Sequence, residues 1–304
     1  MESEYFTFFW AISLTSIEPA LINKVELVLV EINKGMRERQ KKIVNNLQGI
    51  NCRWTNLEEL SLNPVSGVVI ANEVLDALPV ERLVFRDDKV FRQGVTLKKI
   101  NDVQCLDFID LEPTAAIKEF LLDSQTLLNI QLPPDDICNE WVTEWHCGVP
   151  ILFKQLSNIL LNGSLLIVDY ALEAKRYYNA MRKDGTLISY RKQEASPNIL
   201  RDAGSCDLTA HICIESTISY AKRNGWKFIG ETRQGQALLA LGLSKFIYSL
   251  QHSNINDLSA ALNRRESLLR LVDPMGLGEF RWLAFQKNNG RNLILRKRFL
   301  EEPV

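Results

Sequence analysis

An amide and two carboxylates, Asn72, Glu73 and Asp76, follow directly on an apolar run within residues 66–80, SGVVIANEVLDALPV. Paired carboxylates suit a guanidinium, which presents several N–H donors in a fixed fork. On a helix, Glu73 and Asp76 stand three apart and Asn72 and Asp76 four apart, so all three share one face. The alternatives are an Asn72 that simply caps a helix with Glu73 in its first turn, or carboxylates that repel each other and stay solvated. Two more apolar runs end in acids: VELVLVE at Glu31 and SLLIVD at Asp169, the latter followed by Tyr170. An acid ending an early strand of a nucleotide-binding fold accepts hydrogen bonds from ribose hydroxyls; elsewhere it faces water. His211 is a candidate general base, since an imidazole titrates near neutrality, or a structural histidine near a helix start. Asp207 is read as the N-cap of that helix.

Residues 67–71 are short, apolar and β-branched, which predicts a strand buried on both faces. Residues 72–78 then read as a short helical turn closed by Pro79. Upstream, the pattern predicts a strand over 25–31, a helix over 36–47, a brief strand at Cys52-Arg53-Trp54, and a loop and helix start over 55–59. That alternation is the signature of a doubly wound sheet. If the strands ending at Glu31, Asn72 and Asp169 are parallel neighbours, their ends converge on one crevice, where open α/β sheets bind ligands.

Beyond Pro79 the pattern changes. Residues 81–85 and 89–93 alternate around Asp87-Asp88, the mark of a hairpin. Helical stretches are expected over 101–136, with the breaker Pro133-Pro134, and a long amphipathic helix region over 141–161. Residues 171–210 read as a long polar loop, of the kind that is functional or disordered. A helix follows to Ala221, then a strand over 225–230, a helix from Gln234, helical residues 244–271 and a closing strand over 280–286. The expected division is a first part of the core over 1–80, an inserted hairpin and helical subdomain over 81–140, the remainder of the core with its substrate-side loop over 141–290, and a tail over 291–304.

At 304 residues with 46% hydrophobic and 24% charged residues, the composition is that of a globular α/β chain with an insertion. The formal charge of −1 gives no electrostatic case for nucleic acid. Six cysteines without a C-x-x-C pair predict reduced thiols and no zinc site, and three dispersed histidines form no metal motif. The aromatic run at residues 5–14 is too short to span a bilayer and lacks a basic leader, so a cytoplasmic chain is expected.

Six separated segments, ANEVLDALPV with VEINKGMRERQ before it and LLIVDYA, GTLISYRKQ, DLTAH and GQALLALG after it, resemble the MidA family of class I S-adenosylmethionine-dependent methyltransferases. The resemblance covers residues 20–287 and implies a Rossmann-like sheet using S-adenosyl-L-methionine. It also implies a protein substrate methylated at arginine; mitochondrial members act on a respiratory complex subunit. It makes Glu31 the ribose-binding acid and puts Thr55, Asn56 and Leu57 near the adenine. Asn72, Glu73 and Asp76 line the methyl-transfer pocket, with Asn72 also touching the cofactor. Asp169, Tyr170, Asp207 and His211 fall on the acceptor side. The family's first strand and Gly-rich loop should precede the VELVLVE strand, yet no G-x-G occurs before Glu31. Residues 5–24 correspond to the helix after that loop, unless residues 5–12 replace the strand. The expectation is a chain shortened at its N-terminus, with a catalytically inactive binding or assembly protein of the same fold as the alternative.

Overall fold

The computed structural model describes residues 24–44, 51–100, 102–137, 139–192, 194–252, 258–288 and 298–302. The stretches 5–12 and 5–24 lie essentially outside these, as do residues 45–50 at the end of the expected 36–47 helix. Two compact units divide the chain: residues 1–65 with Asn158–Leu161, and Ser66–Ser157 with residues 162–304.

In the first unit, strand β1 (Leu27–Val30) pairs in parallel with β2 (Cys52–Thr55), joined by helix Lys34–Val44. This is the strand–helix–strand unit that β-branched runs alternating with a helical period favour. Helix Leu57–Leu62 leaves β2 at once, started by Asn56, whose Oδ1 accepts from the Glu59 amide at 2.8 Å.

The second unit is built on two sheets. One has the order β14–β15–β8–β3, in which β3 is Val65–Asn72, β8 is Leu160–Asp169, β14 is Lys227–Arg233 and β15 is Arg281–Lys287. Strand β15 is antiparallel to both β14 and β8. Its core includes Phe285, which meets Phe153 and Phe228 with ring centroids 5.6 Å apart in each pair. The other sheet, order β6–β5–β4–β7, is antiparallel throughout: β4 Glu81–Arg86, β5 Lys89–Ile100, β6 Val103–Leu111 and β7 Trp141–Trp145. Leu83, Phe85 and Trp141 on one face of it pack with Ile117 and Phe120 of helix Ala115–Leu128 and with Tyr177 and Tyr178. Asp87 and Asp88, both at positive φ (50° and 57°), make the tight turn between β4 and β5 that the sequence predicts.

Several expectations are corrected. Residues 72–78 form no helix: Glu73 has φ 48°, a left-handed conformation that a right-handed helix cannot contain. The amides that follow bond to β8 instead. Strand β3 is not buried on both faces, because Val68 is 71% exposed and β3 is the edge of its sheet among the described residues. Of residues 101–136, expected to carry helical stretches, Ala115–Leu128 do form a helix, but 103–111 form β6 because all nine pair with β5. Residues 141–145, expected in a helix, form β7, where pairing with β4 and alternation of Trp, Thr and Trp against Val and Glu override the helical period; the helix there is Gly148–Ile159. The 171–210 segment is no featureless loop. It carries β9 (Ala171–Leu172), a short helix Ala174–Tyr177, and the sheet of β10 (Ile188–Arg191), β11 (Glu194–Ser196) and β12 (Asp207–Thr209). Asp207 therefore lies in a strand, and the next helix, Ile214–Arg223, starts after β13 (Ile212–Cys213).

Candidate active site

Strands β3 and β8 run the same way. Near one end Gly163, at φ 153°, lies so close to the Gly67 carbonyl that a Cβ would collide with it; toward the other, the Glu73 amide donates to the Val168 carbonyl at 2.9 Å. Their carboxyl ends therefore coincide, and the turn after β3 falls onto Asp169 at the end of β8. Asp169 is fully buried. One carboxylate oxygen accepts from the amides of Leu75 (2.9 Å) and Asp76 (3.3 Å), the other from the amide of Tyr170 (2.8 Å). Two of these three donors, the Leu75 and Asp76 amides, pin the turn that carries Glu73 and Asp76. Asp169 thus has no exposed surface for a substrate, which corrects its reading as a substrate contact. It supports the groups that line the site.

Asp76 is 5% exposed, and its Oδ1 has no hydrogen-bond partner among the described residues. Burial raises the Asp76 carboxyl above its ordinary range; burial, and then the neighbouring charge of Asp76, raise Asp169 well above its own. Asn72, half-buried, donates from Nδ2 to Glu73 Oε1 at 3.2 Å and caps no helix. Asn72, Glu73 and Asp76 do share one turn, as their spacing suggested, although a bend and not a helix face brings them together.

The segment 210–212 closes over this turn. The Ala210 amide donates to the Asp76 carbonyl at 3.0 Å, and the Ile212 amide to the Tyr170 carbonyl at 2.8 Å. His211, between them, sets its ring 5.7 Å from that of Tyr170, which in turn lies 4.1 Å from Phe280. These three rings, with Arg176 and Arg281, line a cleft of about 170 Å³. Arg281 is nearly buried and held by Glu173 and by Glu231, the latter at 3.1 Å. Burial, reinforced by the charges of Arg182 and Arg176, pushes His211 down to about 4. The ring is neutral at neutral pH and a weak base, which corrects the general-base reading: desolvation moved the pKa away from neutrality. Asp207 is exposed on β12 opposite Tyr190 and does not line the cleft.

The first unit presents its own site. The β1–β2 register sets Val30 opposite Thr55, so Glu31 and Asn56 leave the sheet at the same edge. Glu31 is partly exposed; Oε1 accepts from the Asn33 amide at 2.8 Å, and among the described residues Oε2 receives only a 3.4 Å contact from Gln40. A carboxylate with remaining acceptor capacity at a parallel strand end fits the two hydroxyls of a ribose. Thr55, by contrast, is buried with its hydroxyl donating to Glu59 at 2.6 Å, and the Asn56 oxygen is engaged in capping. Those two shape the edge through local bonds.

Glu144, His146 and Tyr177, buried together behind His211, were not anticipated. WVTEWH reads as amphipathic, and nothing in its spacing marks an acid or an imidazole for burial. Among the described residues no group of three or more His, Cys, Asp or Glu could hold a metal ion, and no helix is long and apolar enough to cross a membrane.

Residues 12–232 match the model of a family described as "Putative S-adenosyl-L-methionine-dependent methyltransferase". The fold is shared with a Burkholderia thailandensis protein crystallised with S-adenosyl-homocysteine bound, at a TM-score of 0.77 and 23% identity, over 97% of this chain and 72% of that one. A native crystal structure of an uncharacterized protein from the same organism gives a TM-score of 0.77 at 24% identity, over 98% and 75%. No curated protein matches.

Proposed function

Since the chain belongs to this S-adenosyl-L-methionine-dependent methyltransferase family, as the MidA resemblance implied, we propose that its methyl acceptor is an arginine side chain of a protein. The observation that carries the reading is the buried Asp76 Oδ1, without a partner among the described residues. A buried carboxylate oxygen left unpaired is costly, on the order of 1–3 kcal/mol or more, and an N–H donor from a substrate would remove that cost. A guanidinium is the donor of matching shape, and Glu73, on the same turn, supplies a second carboxylate.

S-adenosyl-L-methionine, when bound, supplies an electrophilic methyl group on a sulfonium; Glu31 would hold its ribose, and Asn72 stands at the strand end closest to Asp76 in sequence. The chain's own residues do the rest by orientation. Asp76 fixes one guanidinium nitrogen, and Tyr170 and Phe280 offer aromatic faces for the planar cation. The neutral His211 ring adds no opposing charge. As the acceptor nitrogen gains a methyl group it loses one N–H proton, and Asp76 Oδ1, with its raised pKa, is placed to take it before solvent does. The MidA resemblance favours a respiratory complex subunit as the protein acceptor.

The test is methyl transfer from labelled S-adenosyl-L-methionine to protein acceptors, with mass spectrometry of the modified residue. A methyl group on an arginine nitrogen, absent with Asp76→Ala, supports the reading. Methylation of lysine, of a carboxyl oxygen or of a small molecule, indifferent to Asp76, overturns it.

A further inference from the structure

Strand β7 and the residue after it put Val142, Glu144 and His146 on one face by simple alternation. Glu144 is fully buried and accepts from the Thr186 amide (2.9 Å), the Thr186 hydroxyl (3.1 Å), the Leu187 amide (3.2 Å) and the Tyr177 hydroxyl (3.3 Å). The approach is possible because Gly185, at φ 77°, has no Cβ; one would collide with the Glu144 carboxylate. Next to this anchor, His146 is 7% exposed, with Nε2 2.6 Å from the His211 carbonyl oxygen and 3.4 Å from the Tyr177 hydroxyl.

The directions of these bonds follow from chemistry. A carbonyl oxygen only accepts, so Nε2 carries the proton. Burial drives the His146 pKa down to about 4, leaving a neutral ring, and Nδ1, which then holds only a lone pair, has no partner among the described residues. The Tyr177 hydroxyl proton is committed to Glu144, which can only accept while ionised. Three successive residues are thereby tied to three different elements: Ala210 N–H to the turn after β3, the His211 carbonyl to the end of β7, and Ile212 N–H to the end of β8.

We propose that His146 is a positioning residue, whose Nε2–H holds the His211 peptide so that the His211 ring stands against Tyr170 in the cleft. Its importance for acceptor binding rests on the proposed role of that cleft in holding the acceptor, but the contact itself can be tested without any acceptor.

The chain has three histidines, so histidine-labelled protein gives a tractable NMR spectrum of the ring nitrogens. At pH 7 the signal lost on His146→Gln should belong to a neutral ring protonated at Nε2, with a proton exchanging slowly with water. His146→Leu should shift the His211 ring signals, and His146→Gln, whose side-chain amide can donate to the same carbonyl, should bring them back toward their original positions. Calorimetry with S-adenosylhomocysteine checks that each variant still binds cofactor. An Nδ1–H or doubly protonated His146 in the unmodified protein overturns the proposal, as do His211 signals that ignore His146→Leu. Neither outcome depends on what is methylated, so a failure here is distinct from a failure of the arginine reading.

Discussion

Glu31 and Asp169 begin from the same sequence feature, a β-branched run closed by an acid, and end in opposite environments. Glu31 remains partly exposed, bonded through one oxygen to an amide two residues away, with capacity left on the other. Asp169 is fully buried and filled by three backbone amides, two of them from residues more than ninety positions distant in sequence. The segments beyond the two strands make the difference. After β1 the chain turns straight into a helix, and the acid meets only local partners. After β8 the strand end is covered by the turn from β3 and by residues 210–212. A strand-end acid thus keeps acceptor capacity when left open and becomes a structural keystone when another segment closes over it.

The largest expected effect tests the keystone. Asp169→Ala leaves three amides without their acceptor, and at about 1 kcal/mol or more each the unfolding free energy should fall by roughly 3 kcal/mol. Glu31→Ala should change it by less than about 0.5 kcal/mol. Urea unfolding of both variants decides; similar losses would break the comparison. Next in size, Asp76→Ala should slow methyl transfer by about 100-fold, close to 2.7 kcal/mol, while S-adenosylhomocysteine affinity stays within a few-fold. Parallel loss of activity and cofactor affinity would remove Asp76 from the acceptor side. Glu31→Ala should do the reverse in calorimetry, weakening cofactor binding by about tenfold, or 1.4 kcal/mol, as expected for lost hydrogen bonds to a charged group.

The smallest effect concerns pH. Burial raises the Asp76 pKa, so its contribution to stability is fully present below the ordinary carboxyl range and is lost as pH rises through the raised value. Asp76→Asn removes that loss. Relative to the unmodified chain, the variant should gain stability as pH rises above the ordinary carboxyl range. Thermal unfolding across that range measures it; a gain that grows toward acid would contradict a raised Asp76 pKa.

Local patterning was enough for β1, β2, the β4–β5 turn, β8 and β15, where apolar runs and turn residues agree with the final pairing. It failed at residues 103–111 and 141–145. There the composition permits a helix and the decision belongs to a partner strand far along the chain. Asn72, Glu73 and Asp76 were legible as a group from their types and spacing, but not the bend that unites them, which needs Asp169 and a left-handed Glu73. His211 was legible as a residue of interest and misjudged in its chemistry, because desolvation is a property of neighbours. Glu144 and His146 gave no signal at all.

What the sequence determined alone is the family, the strand-ending acids and the grouping of Asn72, Glu73 and Asp76. These rest on residue types and near spacing, which no packing can alter. Tertiary structure decided which acid is buried, which carboxylate oxygen lacks a partner, and which imidazole is held neutral against a carbonyl. Each of those depends on water being excluded by segments remote in sequence, and exclusion of water is what sets both the cost of an unpaired oxygen and the pKa of a ring.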